Sequence, residues 1–230
     1  MQIVSWNSIS RREQKELIAR TQAVAFSEET QISVQEILSN VRANGLDSLI
    51  KYTRQFDCPQ FSSENLIQSV NEQSISQKQE DAILQAIENI NSFHGAQLSG
   101  EYELETMPGV ICKRVYRPIQ SVGLYIPGGT APLVSTVLMM AVPARLAKCE
   151  RVILCTPPDK TGNINPAILY AAKMCGISEV YAVGGAQAIA AMAYGCGPIP
   201  KVNKIFGPGN QYVNLAKILV SQEFGGPAID

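Results

Sequence analysis

The sequence predicts an α/β fold built on a parallel β-sheet, and three observations support this prediction. Short apolar segments of strand character recur along the second half of the chain, each ends at a turn rich in glycine or proline, and a helical pattern follows each turn. Mostly apolar strands are typical of parallel sheets that carry helices on their faces. The carboxyl ends of such strands meet along one edge, which is where open α/β sheets bind ligands.

The stretch SVGLYIPGGTAPL, residues 121–133, is the first of these units. Its first six residues predict a short buried strand that ends at a Pro-Gly-Gly turn, and the two glycines permit a close approach of a ligand to the main chain. From Ser135 the residues predict a helix, with Ser135 as its candidate N-cap and Pro143 as the position of a kink or break.

Three further units of the same kind follow. Residues 151–155, 179–183 and 202–206 predict strands, and residues 228–230 predict the start of a fifth strand. The helices that alternate with them are predicted over residues 167–175, 186–194 and 211–222, the first opened by Asn165-Pro166 and the last by Asn210.

The first half of the chain predicts mainly helices. Helical patterns cover residues 9–25 and 76–97, and two more helices are predicted between them, one opened by a Ser33–Glu36 capping box and closed by Gly45, the other capped by Asp47.

Residues 104–116 change in character and predict a β-ribbon around a Pro-Gly turn. We therefore place a domain boundary after this ribbon. The predicted division is an N-terminal helical arm over residues 1–25, a first lobe over 26–119 and a second lobe over 120–230.

Composition and charge argue against several classes of partner. A formal net charge of −1 gives no electrostatic reason to expect nucleic acid or an anionic membrane. The longest apolar runs, such as residues 137–144, are too short to span a bilayer, and the N-terminal residues lack the apolar segment of a signal peptide. We expect a cytoplasmic protein without a nucleic-acid or membrane partner.

Cysteine and histidine usage argues against a zinc site within this chain. There is no C-x-x-C pair, and His94 is the only histidine; its place near the end of a predicted helix favours a surface role over a catalytic one. We interpret the six cysteines as reduced thiols packed as small apolar side chains; they are Cys58, Cys112, Cys149, Cys155, Cys175 and Cys196.

The glycine turns indicate a ligand with phosphate groups. Three of them directly precede predicted helices, where free N–H groups and the helix dipole favour an anion, although no GxGxxG fingerprint is present. Three neutral hydrogen-bonding side chains stand beside these turns: Tyr125, Gln187 and Asn210. Each also has a local interpretation, because Asn210 is a good helix cap, Gln187 is a first-turn residue and Tyr125 can simply pack.

The segments SVGLYIPGGTAPLVSTVLM, VGGAQAIAA and KIFGPGN, in this order and spacing, resemble the histidinol dehydrogenases, as do RVILCTPP and ILYAAKMCG. The resemblance implies an aldehyde dehydrogenase-like architecture whose second lobe is a Rossmann-like NAD-binding lobe. It also implies an NAD-dependent, zinc-containing homodimer that oxidises L-histidinol through the aldehyde to L-histidine, the last step of histidine biosynthesis. By the same resemblance, Tyr125, Gln187 and Asn210 match the family's NAD-contacting positions.

The resemblance further implies that this chain is the N-terminal part of such an enzyme. Family members are nearly twice as long, and most of their zinc ligands, acid-base residues and substrate contacts lie beyond residue 230. No catalytic residue or metal ligand is therefore assigned in this chain, which is expected to be inactive alone. The first lobe is expected to be incomplete, with apolar surface exposed on its helices between residues 33 and 97 and poor solubility as the result.

Two other functions remain open from the residues. One is a non-catalytic nucleotide-binding or regulatory module. The other is an aldehyde dehydrogenase-like enzyme with a cysteine nucleophile, for which Cys155 at the end of a strand is the only candidate and which would need a thiol of low pKa.

Overall fold

The computed structural model describes residues 4–19, 26–71, 73–129 and 131–230. Its helices are α1 (Arg11–Ala19), α2 (Glu28–Asn44), α3 (Leu46–Phe56), α4 (Gln77–Gly95), α5 (Val134–Leu146), α6 (Pro166–Met174), α7 (Gly185–Tyr194) and α8 (Gln211–Gln222). Its strands are β1 (Ile67–Gln68), β2 (Tyr102–Met107), β3 (Val110–Arg114), β4 (Ser121–Tyr125), β5 (Arg151–Thr156), β6 (Glu179–Ala182), β7 (Lys204–Phe206) and β8 (Ala228–Ile229).

The predicted parallel sheet is confirmed. Its strand order is β1-β6-β5-β4-β7-β8, and every neighbouring pair is parallel except β1 and β6. The central strand β4 places Tyr125 opposite Cys155 of β5 and Leu124 opposite Phe206 of β7. Because the strands end in register, the turns that follow them lie side by side along one edge of the sheet.

Helix α7 lies at the centre of the packing. Its residues from Ala186 to Ala193 are all buried, and it contacts α2, α3 and α8 as well as β4 and β7. The alanine-rich sequence allows this, because small side chains let neighbouring backbones approach closely on several sides. The same close packing holds the start of α7 firmly at the ligand edge.

The apolar face of α2 is buried, so the expectation of exposed apolar surface on this helix was wrong. Val34, Ile37, Leu38 and Val41 are at most 5% exposed, and α2 packs on α7 and α8 of the second half of the chain. Exposed apolar side chains do occur on the next two helices, at Phe56 of α3 and at Leu84 and Phe93 of α4, as expected, and also on the ribbon of β2 and β3, which is exposed throughout.

The predicted boundary between residues 119 and 120 stays a prediction. Strand β1 belongs to the first half of the chain, yet it pairs with β6, and α4 packs on α5 and α6. Contacts therefore cross this boundary at both a strand pair and a helix layer. The predicted ribbon around Pro108-Gly109 is confirmed as β2 and β3.

Two of the predicted helix starts in the first half were wrong. Helix α2 begins at Glu28, and the hydroxyl of Ser27 accepts the N–H of Thr30 at 3.2 Å, so Ser33 and Glu36 lie inside the helix. Gly45, with φ at 54°, ends α2 as predicted. It also precedes α3 directly, which places Asp47 in the first turn of that helix instead of at its cap.

Helix α5 also differs from its prediction. It begins at Val134 without a side-chain cap, so Ser135 is a first-turn residue, and it continues through Pro143 to Leu146. Proline removes the hydrogen bond to the carbonyl of Met139, and Met139 lies on the exposed side of the helix, where water can replace the lost donor.

The N-terminal arm is described only in part. Helix α1 is described over Arg11–Ala19, and the predicted continuation over residues 20–25 lies outside the described residues. Within the described ranges, no helix combines the length and apolar character that a membrane crossing requires.

Candidate functional site

A cavity of about 1370 Å³ lies at the edge where the parallel strands end. Its floor is formed by the turns after β4, β5, β6 and β7, as the sequence predicts. Its opposite wall comes from the first half of the chain, through residues of α2, the end of α3 and β1; these include Ser33, Phe56, Asp57 and Gln68. A cavity of this size suits a ligand as large as a dinucleotide.

The floor is tightly packed because two glycines lie against one proline. A Cβ at Gly128 or at Gly184 would lie 2.5 Å from the ring of Pro157. The turns after β4 and β6 therefore both rest on the turn after β5. At Gly129, by contrast, nothing crowds a Cβ position more closely than 4.0 Å, so the main chain there is open to a ligand.

Gln187 is the most informative side chain in the cavity. It is 1% exposed, it lines the cavity, and neither its amide oxygen nor its amide nitrogen has a hydrogen-bond partner within the described part of the chain. The side chain folds over Gly185, whose φ of 64° and lack of a Cβ make room for it. A buried amide without partners costs stability, which points to a ligand that completes it.

Tyr125 supports the start of α7. Its side chain is buried, and its hydroxyl oxygen accepts the N–H of Gly185 at 3.1 Å. Burial raises the pKa of Tyr125 to about 12, so the phenol is neutral near pH 7. The structure therefore shows a packing role for Tyr125 at the cavity, and its contact with a cofactor stays a prediction.

Asn210 caps α8, as its local interpretation predicts. Its side-chain oxygen accepts the N–H groups of Tyr212 and Val213 at 3.0 and 3.1 Å. The residue is exposed and lines the cavity. Its contact with a cofactor is likewise a prediction.

An ion pair holds the turn after β7. The ammonium of Lys217 contacts the carboxylate of Asp230 and donates to the carbonyl of Gly207 at 3.1 Å, while Asp230 accepts the N–H of Gly207 at 3.0 Å. Both the N–H and the carbonyl of Gly207 are thus hydrogen-bonded to this pair. Because Asn210 follows three residues later, this pair positions the cap of α8 and one side of the cavity.

Sequence reasoning missed Asp57 and Lys160, which stand together at the wall of the cavity. The ammonium of Lys160 donates to the backbone carbonyl of Asp57 at 2.7 Å, and the thiol of Cys58 donates to the carbonyl of Lys160 at 3.3 Å. No motif marks Asp57, since it follows the end of α3 and reaches the cavity only through the packing of that helix.

The cysteine-nucleophile alternative is not supported. Cys155 is completely buried, and burial raises the pKa of its thiol far above the usual range, which is the opposite of activation. All six cysteines are free and four are buried, in agreement with the packing interpretation. His94 lies half-buried near the end of α4, beside Gln97, and does not line the cavity.

The family model described as Histidinol dehydrogenase matches residues 20–230. Histidinol dehydrogenase from Yersinia pestis is 48% identical over 231 residues, which are 99% of this chain and 51% of that protein. Histidinol dehydrogenase from Salmonella typhimurium strain LT2 is 46% identical over 231 residues, 99% of this chain and 52% of that protein.

A solved structure shows the same relation. The crystal structure of histidinol dehydrogenase from Elizabethkingia anophelis superposes with a TM-score of 0.86 at 44% identity, over 96% of this chain and 51% of that one. The chain thus spans about half the length of the curated relatives that it matches.

Proposed function

Because this chain belongs to the histidinol dehydrogenase family, we propose that it supplies the NAD-binding region of an enzyme that oxidises L-histidinol through the aldehyde to L-histidine. The observation that carries the NAD assignment is Gln187, whose buried amide has neither a donor nor an acceptor among the described residues and lines the large cavity. A dinucleotide offers both kinds of partner, through its hydroxyl and amide groups and through its phosphate oxygens.

The start of α7 adds an anion site next to this amide. The hydroxyl of Tyr125 accepts a hydrogen bond from the N–H of Gly185. The N–H groups of Ala186 and Gln187 lie in the first turn of α7 and therefore have no partner inside the helix. A phosphate group is the natural ligand for such a helix start. Gln187 and the first turn of α7 together fit a molecule that carries phosphate and neutral hydrogen-bonding groups side by side.

The chemistry divides between the cofactor and the chain. Bound NAD supplies the acceptor for the hydride of the substrate. The described residues bind and orient it: α7 faces the phosphates, Gln187 and Asn210 provide hydrogen bonds, and the packed floor under Pro157 excludes water from one side. Tyr125 keeps its proton and holds the main chain at Gly185.

Zinc does not fit the residues of this chain. Within the part that the structure describes, no group of three or more His, Cys, Asp or Glu side chains could hold a metal ion. We propose from the family that the intact protein is a zinc-containing homodimer and that its zinc ligands lie outside this chain.

Gln187→Met tests the NAD assignment. The variant keeps the shape of the side chain but removes both unpaired polar groups, so we expect NAD to bind about tenfold more weakly while the unfolding temperature stays the same or rises. Isothermal titration of NAD and thermal unfolding, both on the complete protein, measure the two effects. Gln35→Met, at an exposed glutamine of α2 that does not line the cavity, is the matched control.

Unchanged NAD affinity in Gln187→Met would contradict the assignment. A wild-type protein that binds NAD but oxidises no histidinol would instead favour the non-catalytic nucleotide-binding module.

Two substitutions at Asn210 separate its roles. Asn210→Ala removes both cap and amide, so we expect a loss of about 1 kcal/mol in the free energy of unfolding and a raised KM for NAD. Asn210→Ser keeps a good cap, so we expect near-normal stability with KM for NAD still raised more than KM for histidinol. If Asn210→Ser leaves KM for NAD unchanged, Asn210 is a cap alone.

A further inference from the structure

Asp57 lines the cavity, and one of its carboxylate oxygens has no partner among the described residues. Its Oδ2 atom is buried and has no hydrogen-bond partner within the described residues, and Asp57 lines the same cavity as Gln187 and Asn210. Burial raises the pKa of Asp57 to about 6, and the nearby Lys160 opposes this shift only in part.

The side chain of Asp57 lowers the stability of the protein for two reasons. Asp57 directly follows α3, and a negative charge at a helix C-terminus is unfavourable against the helix dipole. Desolvation of a carboxylate oxygen without a donor adds a second penalty. The contact that ties this loop to its neighbour uses the backbone carbonyl of Asp57, which accepts from Lys160, and does not need the side chain.

The charges around Asp57 favour an uncharged hydrogen-bond donor as the partner of its free oxygen. The ammonium of Lys160 already supplies positive charge nearby, so a second cation would meet repulsion. An anion would meet the carboxylate itself. Hydroxyl groups remain, and two adjacent hydroxyls can bind one carboxylate through both of its oxygens.

Asp57 and the proposed phosphate site at the start of α7 line the same cavity. The charge of Asp57 contributes to the raised pKa of Tyr125, and Tyr125 in turn holds the N–H of Gly185 at the start of α7. Hydroxyl and phosphate groups of one ligand could thus reach Asp57 and α7 within the same cavity.

We propose that the carboxylate of Asp57 binds the adjacent ribose hydroxyls of NAD and makes the protein discriminate against NADP. The 2′-phosphate of NADP would replace one of these hydroxyls by a group of like charge. This inference rests on the proposed function and adds to it a residue that determines cofactor specificity.

Asp57→Asn tests the inference in the complete protein. The variant keeps the size of the side chain and removes its charge, so we expect the Kd for NAD to rise about tenfold, because hydrogen bonds to charged acceptors are lost. The Kd for NADP should stay constant or fall, so the preference for NAD over NADP should drop by about tenfold or more. Titration calorimetry with each dinucleotide measures both constants. Asp47→Asn, which removes the same charge from the exposed start of α3, is the matched control.

Thermal unfolding separates this role from a structural one. Since an unpartnered carboxylate is costly, Asp57→Asn should leave the unfolding temperature unchanged or raise it. A lowered unfolding temperature with an unchanged preference for NAD would overturn the inference, as would an equal loss of affinity for both dinucleotides. A KM that rises for histidinol alone would assign the carboxylate to the substrate and overturn it as well. If the wild-type protein does not bind NAD, the proposed function fails first.

Discussion

Replacing Gly207 with alanine should destabilise the protein by about 3 kcal/mol or more. The residue has φ at 130°, a region that L residues rarely adopt, and an added Cβ would overlap the backbone carbonyl of Tyr125. Because the obstructing atom belongs to the end of the central strand, it cannot move aside without disturbing the sheet. Urea unfolding followed by circular dichroism measures the loss, and NAD titration measures its effect on the cavity.

Gly109→Ala is the control for this substitution. Gly109 has φ at 81° in the turn between β2 and β3, and nothing lies within 4 Å of its Cβ position. It therefore reports backbone strain alone, which we expect to cost about 1–2 kcal/mol. Equal losses in the two variants would contradict the claim that contact with Tyr125 makes Gly207 necessary.

Replacing Lys217 with methionine should cost about 3 kcal/mol in the free energy of unfolding. The lysine side chain is 7% exposed and the Asp230 side chain 38%, so removal of the ammonium leaves the carbonyl of Gly207 without its donor and a partly buried carboxylate with only the N–H of Gly207. The turn that precedes Asn210 should loosen, and NAD should bind more weakly as a result. Denaturant unfolding and calorimetric titration of NAD check the two effects.

Lys113→Met provides the matched comparison. Lys113 pairs with Glu103 on the ribbon, with 57% and 52% of the two side chains exposed, and loss of such a surface pair should cost less than about 1 kcal/mol. The double variant Lys217→Met with Asp230→Asn should recover part of the loss, because it removes the orphaned charge. A Lys217→Met protein as stable as Lys113→Met would show that the pair does not hold the turn.

The agreement between sequence and structure is best where local patterns are strong. Apolar runs that end at glycine or proline turns predicted β4 to β7, and Asn165 and Asn210 do cap α6 and α8. Agreement is poorer at helix starts in the first half of the chain, where several polar residues compete as caps. The N-cap of α2 is Ser27 and not Ser33, because the buried face of the helix includes Thr30 and the helix must therefore begin before that residue.

Local patterns in the sequence predicted the alternation of strands, turns and helices, the glycine turns at one sheet edge and the three polar side chains beside them. Periodicity and turn chemistry are local properties, so they can be read without knowing the fold. The folded chain was needed to show that α2, α3 and β1 form one wall of the cavity, that Asp57 lines the same cavity as Gln187 and Tyr125, and that Lys217 and Asp230 hold Gly207. These arrangements depend on contacts between segments far apart in the chain, which follow from how buried faces pack together.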